Sequence, residues 1–266
     1  MYRGTMPGMT VRGSNPLPRG ATERSMPVFL EEMKQAGVVH AVIWGRAVSD
    51  PKESTANEDV AALVREHPGL FSGLGGIRIP GAGDISRTVD DVEQILTEFK
   101  LKGITIEPGF SMTPTRGADD SRLYPVYERC AKLGGILAFT ISVRAGEDMT
   151  YSNPVAVDRV AGDFPTLPIV VSHAFWPWID QSIGLLFRRP NVSLLPDQYG
   201  PTMPGHLRWV EAANTALSDR FLFGSAYPSS LDPKGMVEAY SKLPYREDVK
   251  RKVLYHNAAR LLRIET

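Results

Sequence analysis

Apolar positions along the chain fall into two kinds of pattern, short unbroken runs and longer stretches with helical spacing. The short runs are HAVIWG (40–45), LFSGLGGIRI (70–79), KGITIEPG (102–109), ILAFTISV (136–143), PIVVSHAF (168–175), NVSLLPDQYG (191–200) and FLFGSAYP (221–228). They are rich in β-branched residues and lack polar alternation, as expected of parallel strands buried on both faces. Between them lie helical patterns at 57–67, 85–100, 122–133, 154–164, 179–189 and 207–217, with two more closing the chain at 234–243 and 246–262. In the second of these, 85–100, Val89, Val92, Ile95, Leu96 and Phe99 share one face. A further helix, capped by Thr22 and carrying Met26, Phe29, Leu30 and Met33, precedes the first strand and ends at Gly37.

Strictly alternating strands and helices predict an α/β fold of the TIM-type (β/α)8 barrel class. The count gives seven strands where a closed barrel needs eight. The deficit lies at the front, because the first helix has no strand before it. The first strand is therefore expected to be missing or replaced, lying upstream of Met1 or substituted by irregular chain. Residues 1–21, rich in Gly, Pro, Met and Arg, read as an irregular segment lying over the mouth, and 22–266 as the barrel.

Composition narrows the partners. Thirty basic residues balance thirty acidic ones, so nothing electrostatic favours nucleic acid or an anionic membrane. No apolar run approaches the roughly 20 residues that span a bilayer, and the N-terminus has no apolar core of a secretion signal. The single cysteine, Cys130, excludes an internal disulfide and suits a reducing compartment, so a cytoplasmic location is expected. Cys130 itself sits mid-helix beside Val126 and Tyr127 and reads as packing. GLGGIR at 73–78 lacks the G-x-G-x-x-G spacing of a dinucleotide loop, and neither a G-x-S-x-G elbow nor a Walker loop is present.

Chemistry in such barrels gathers at the C-terminal ends of the strands. His173 follows the Ile169–Val171 run directly and is the first candidate as a proton carrier near neutral pH; a buried histidine satisfied by hydrogen bonds is the alternative. Glu107 is a candidate general acid or base, or the partner of an arginine across the mouth. Asp197 either orients His173 or caps its own loop. Arg46, Arg78 and Arg144 each follow a strand and are candidates to clamp a substrate carboxylate, unless one of them balances Glu107 or Asp197. Tyr227 is a candidate oxyanion donor or a packing residue. Trp44, Phe175, Trp176 and Trp178 either line the mouth as an aromatic wall or fill it.

The pieces LKGITIEPG, RLYPVYERCAKLGGILAFT, DFPTLPIVVSHAFWPWID, RRPNVSLL, DRFLFGSAYP and HNAARLL together resemble the amidohydrolase superfamily. The likeness is closest to the amidohydrolase-2 branch, which holds aminocarboxymuconate-semialdehyde decarboxylase, the resorcylate decarboxylases and pyrone-dicarboxylate lactonase. It covers roughly residues 22 to 264. Metal-dependent members hold a divalent ion with a His-x-His pair on the first strand, a histidine on the fifth, sometimes one on the sixth, and an aspartate on the eighth. Here Thr140 stands at the fifth-strand position and Ala226 at the eighth. His173 alone matches, and one imidazole cannot hold zinc.

The resemblance, with these departures, implies a metal-independent hydrolase acting on a small carboxylated substrate, a lactone or an activated ester, with no cofactor. Decarboxylation or C–C cleavage of a dienol-type acid is the alternative within the family. Two further readings stay open: a non-catalytic barrel with a mouth filled by its own tryptophans, and a metal-dependent hydrolase with ligands upstream of Met1. The family tendency and the apolar outer helices imply a homo-oligomer.

Overall fold

A computed structural model of the protein describes residues 17–48, 50–80, 85–110 and 115–264. The segment expected to lie over the mouth falls outside these, apart from its last residues. Within it the chain is already helical at Arg19–Glu23, earlier than the irregular reading of 1–21 allowed. A second helix, Met26–Gln35, is capped by Ser25, whose Oγ accepts from the Val28 N–H, and it closes before Gly37 at φ 69°.

Six strands then pair in sequence order, every pair parallel: β1 Ala41–Trp44, β2 Phe71–Gly76, β3 Gly103–Ile106, β4 Ile136–Thr140, β5 Ile169–Ser172 and β6 Val192–Leu195. The run at 221–228 contributes only a single parallel bridge, Leu194 to Phe221, framed by Leu194 N–H to Arg220 O and Leu222 N–H to Leu194 O, both 2.8 Å. Among the described residues the sheet curls into an incomplete TIM-type barrel, with no pairing between β1 and this last segment. All four residues of β1 are half-buried, as an edge strand should be.

Side-chain alternation sorts the strands into two layers. Ile104, Ile106, Leu137, Phe139, Ile169, Val171, Val192 and Leu194 point outward and pack under the helices. Leu74, Ile136, Ala138, Val170 and Leu222 point inward and form a second cluster with Leu262. The glycine-rich character of β2 follows from the outer layer. A Cβ on Gly73 would lie 2.8 Å from Val60 and one on Gly75 2.7 Å from Ile95, so these glycines let two helices seat closely. Cys130 is fully buried in the outer layer, and burial alone pushes its thiol up to about 12.

The helix expected at 85–100 is α-helical over Ser86–Glu93 and then widens into a π turn over Gln94–Glu98. Asn57 begins a helix, Asn57–Glu66, yet does not cap it. Its amide instead bridges the end of β2, accepting from Gly76 N–H at 2.7 Å and donating to Gly76 O at 3.1 Å. Among the described residues no helix is long and apolar enough to cross a membrane.

Candidate active site at the strand ends

The chain leaves β5 through a tight left-handed turn. His173, Ala174 and Phe175 have φ of 64°, 46° and 62°, a conformation that costs an L-residue about 1–2 kcal/mol. Asp197, at the end of the neighbouring β6, is also left-handed at φ 47°. Its carboxylate is what holds the turn. Oδ2 of Asp197 accepts from Ser172 Oγ at 2.9 Å and from the His173 N–H at 3.0 Å, and lies 2.7 Å from His173 Nδ1. One carboxylate oxygen thus fixes the backbone of His173 and lies within ion-pair reach of its ring. Asp197 is anchored in turn, with Tyr240 Oη donating to its carbonyl at 2.7 Å. The Asp197 side chain is 2 % exposed and that of His173 16 %, so the pair is buried on one side and open on the other.

Tyr199, which sequence reasoning missed, stacks on the His173 ring at 4.8 Å and 30°. It lies two residues beyond Asp197 in the same short turn, and that spacing was the only signal for it. Trp176 meets the Tyr199 ring edge-on at 6.0 Å and donates its indole N–H to Pro204 O.

Across the mouth, Arg46 and Glu107 form a two-point pair, Nε to Oε1 at 2.7 Å and Nη2 to Oε2 at 3.0 Å. Nη1 of Arg46 reaches Glu53 Oε2 at 2.9 Å. The arginine expected to clamp a substrate is therefore engaged with Glu107, the outcome in which an arginine balances a mouth carboxylate. Arg144 is exposed at the rim. Arg78 is exposed too, donates to Val48 O at 3.3 Å, and lies outside the cavity lining.

Tyr227 is drawn away from an oxyanion role. Its Oη donates to Glu32 Oε2 at 3.3 Å, and its ring lies 4.7 Å from that of Phe29 on the same helix. Burial, and then the Glu32 carboxylate, hold its phenol well above the ordinary range. The aromatic set divides: Trp44 and Trp176 line the cavity, whereas Phe175 is fully buried and Trp178 donates to Ser152 Oγ at 3.2 Å.

These residues surround a cavity of about 1070 Å³ whose rim carries Arg46, Glu107, Thr140, Arg144, His173 and Asp197. Among the described residues Trp44 and Trp176 line the mouth without filling it. Among the described residues no three His, Cys, Asp or Glu side chains converge as a metal-binding group. Glu107 is engaged by Arg46, and Asp197 by Ser172 and His173, so the residues described do not fit a divalent ion and no step is derived through one.

Ala226, at the position where the resemblance would place an aspartate, is left-handed at φ 52°. Aspartate, asparagine and glycine tolerate this conformation better than alanine. Ala226→Gly is accordingly expected to stabilise the protein by about 0.5–1 kcal/mol. The check is a rise in the urea midpoint at unchanged slope; a fall would mean that the methyl group packs productively.

The chain matches the family model described as amidohydrolase over residues 11–264. It is similar to the structure of an uncharacterised TIM-barrel protein from Bordetella bronchiseptica at 39% identity and TM-score 0.87, covering 94% of this chain and 86% of that one. The 5-carboxyvanillate decarboxylase of Sphingomonas paucimobilis is similar at 21% identity and TM-score 0.69, with 95% and 88% covered. A 5-carboxyvanillate decarboxylase of Novosphingobium aromaticivorans, solved with bound manganese, is similar at 17% identity and TM-score 0.66, with 88% and 80% covered. No curated relative matches the chain.

Proposed function

Because the chain belongs to the amidohydrolase family, whose model spans residues 11–264, we propose that it is an enzyme in which the His173–Asp197 pair transfers a proton on a small carboxylated substrate, and that the reaction is decarboxylation. The observation that carries this reading is the 2.7 Å approach of Asp197 Oδ2 to His173 Nδ1 at the rim of an open cavity. A carboxylate 2.7 Å from Nδ1 steadies the imidazolium by its charge, and in this reading Nε2 exchanges the proton with substrate. In the reaction a proton passes from the imidazolium to the carbon bearing the substrate carboxylate. The electrons of the C–C bond then return to the conjugated system and CO2 leaves. Solvent restores the imidazolium.

One further point favours decarboxylation over hydrolysis. The transition state spreads its charge through the substrate's own conjugated system, so it does not need the oxyanion donor that Tyr227, turned to Glu32, fails to supply. Hydrolysis of a lactone or activated ester is the second reading, since the same His–Asp pair can activate a water molecule.

The proposal extends to metal independence, because the family resemblance places Thr140 and Ala226 where metal-dependent members carry a histidine and an aspartate, and neither side chain here is a carboxylate or an imidazole. One experiment tests both points. Hydroxylated aromatic and dienoic carboxylates, and in parallel carboxylated lactones and aryl esters, are incubated with the protein in D2O and in H2¹⁸O, after chelation and after manganese loading. The expected product has lost CO2 and carries one deuteron at the vacated carbon, at equal rates in both preparations. Incorporation of ¹⁸O into a new carboxylate would establish hydrolysis instead, and turnover only with manganese would overturn metal independence.

A further inference from the structure

Two restraints of different kinds act on the His173 side chain. Asp197 Oδ2 approaches Nδ1 at 2.7 Å, which sets a distance at one nitrogen. It does not set the plane of the ring. The terminal torsion of a histidine has a broad well, and a carboxylate attracts Nδ1 over a range of tilts. The plane is set by a second contact. The Tyr199 ring lies against one face of the imidazole, with centroids 4.8 Å apart and planes 30° from parallel.

Tyr199 is itself held well enough to act as a backstop. Its N–H donates to Pro196 O at 2.9 Å and to Asp197 Oδ1 at 3.4 Å, and its carbonyl accepts from the Met203 N–H at 3.1 Å. The Asp197 carboxylate thus ties the two stacked residues together, Oδ2 taking the N–H of His173 and Oδ1 that of Tyr199. The next residue, Gly200, approaches the buried Tyr240 closely. A Cβ there would lie 2.5 Å from Tyr240 Oη, the hydroxyl that donates to Asp197 O. Trp176 meets the phenol edge-on at 6.0 Å, and its backbone N–H donates to His173 O at 3.0 Å. Imidazole, phenol and indole form one series, tied by main chain to the ends of β5 and β6.

We infer that Tyr199 is a positioning residue for the proposed reaction, holding the His173 imidazole in the orientation from which it exchanges a proton. The inference deepens the proposed function and rests on its assignment of His173 as the proton carrier. Tyr199 acts through His173 and needs no contact with substrate. Proton transfer depends steeply on where the donor nitrogen points, so losing the backstop costs rate while leaving substrate binding nearly unchanged.

Two measurements on Tyr199→Leu and Tyr199→Phe test this, and the first needs no substrate. With ¹³C in the histidine rings, relaxation gives the order parameter of His173, whose signal is identified by its loss in His173→Gln. The expected value is about 0.85, that of rigid backbone, in the parent and in Tyr199→Phe, and below about 0.6 in Tyr199→Leu. Unchanged signals of His67 and His256 show that the fold is intact. Tyr199→Met, closer to tyrosine in length, replaces the leucine variant should that one not fold. In the second measurement, kcat of Tyr199→Leu falls about 10–10²-fold with KM within a few-fold. Tyr199→Phe keeps the ring and recovers the rate to within about twofold, and Tyr199→Leu added to His173→Gln costs nothing further, as for residues acting as one unit. An order parameter unmoved by leucine overturns the inference, whatever the reaction proves to be. So does a full rate in Tyr199→Leu, or a further fall in the His173→Gln background. A Tyr199→Phe as slow as Tyr199→Leu also overturns it, by assigning the work to the hydroxyl. If no carboxylate is turned over, the proposed reaction fails, and the order parameter still decides whether Tyr199 holds the ring.

Discussion

His173→Gln is expected to lower kcat by about 10²–10⁴-fold, the range carried by a positioned acid–base group, while KM changes only a few-fold. Glutamine keeps a polar group at the rim and leaves the backbone N–H of residue 173 free to donate to Asp197, so the turn after β5 should survive. The ring is on the rim and not in the core, so thermal stability should stay close to that of the parent. A fall in kcat and kcat/KM together, at an unchanged melting temperature, is the signature of an interaction made in the transition state. A variant within about threefold of the parent in kcat would remove His173 from the chemistry. Asp197→Asn is the companion measurement. It keeps an oxygen for Ser172 Oγ or the His173 N–H but no longer stabilises an imidazolium. Its effect should therefore appear in the pH profile of kcat more than in KM, whereas a merely structural role would shift the melting temperature and leave the profile alone.

How far the sequence foretold this site depends on how local each contact is. His173 and Asp197 were legible because they end adjacent parallel strands, β5 and β6, whose register pairs Ser172 with Leu195. Two titratable groups just beyond such a register must meet. The Arg46–Glu107 pair was legible only as an option, since it depends on how three strand-end loops turn inward. Tyr227 was legible only as an option, oxyanion donor or packing residue, and its contact with Glu32 was not. Its partner Glu32 is 195 residues away in the chain, on a helix that packs across the gap beside β1. Tyr199 was hidden for a different reason: a tyrosine inside a three-residue turn has no periodicity to mark it. Six of the seven apolar runs form strands, and the seventh collapses to one bridge because Ala226 turns left-handed and Phe223 N–H bonds Val253 O rather than a strand.

Arg46→Met is expected to destabilise the protein by about 3 kcal/mol, the low end for breaking one side of a buried ion pair. The reason is the partner left behind. Glu107 has a side chain only 10 % exposed, against 17 % for Arg46, and both of its oxygens accept from the guanidinium. Without Arg46 its carboxylate must stay charged in a poorly hydrated place or take up a proton. Glu53 would lose the same partner but is more exposed, so its share of the loss is smaller. The double variant Arg46→Met with Glu107→Leu removes both charges together and should recover most of the stability, because desolvation largely cancels the attraction within such a pair. At roughly 2–4 °C per kcal/mol for a chain of this size, the single variant should melt about 6–12 °C below the parent and the double variant within a few degrees of it. That pattern would make the pair a structural clamp tying the loop after β1 to the end of β3. If Arg46→Met instead melts like the parent and raises KM for carboxylates alone, the guanidinium exchanges Glu107 for the substrate. In that case the salt bridge is a resting state that binding displaces, and Arg46 joins His173 in the chemistry of the rim.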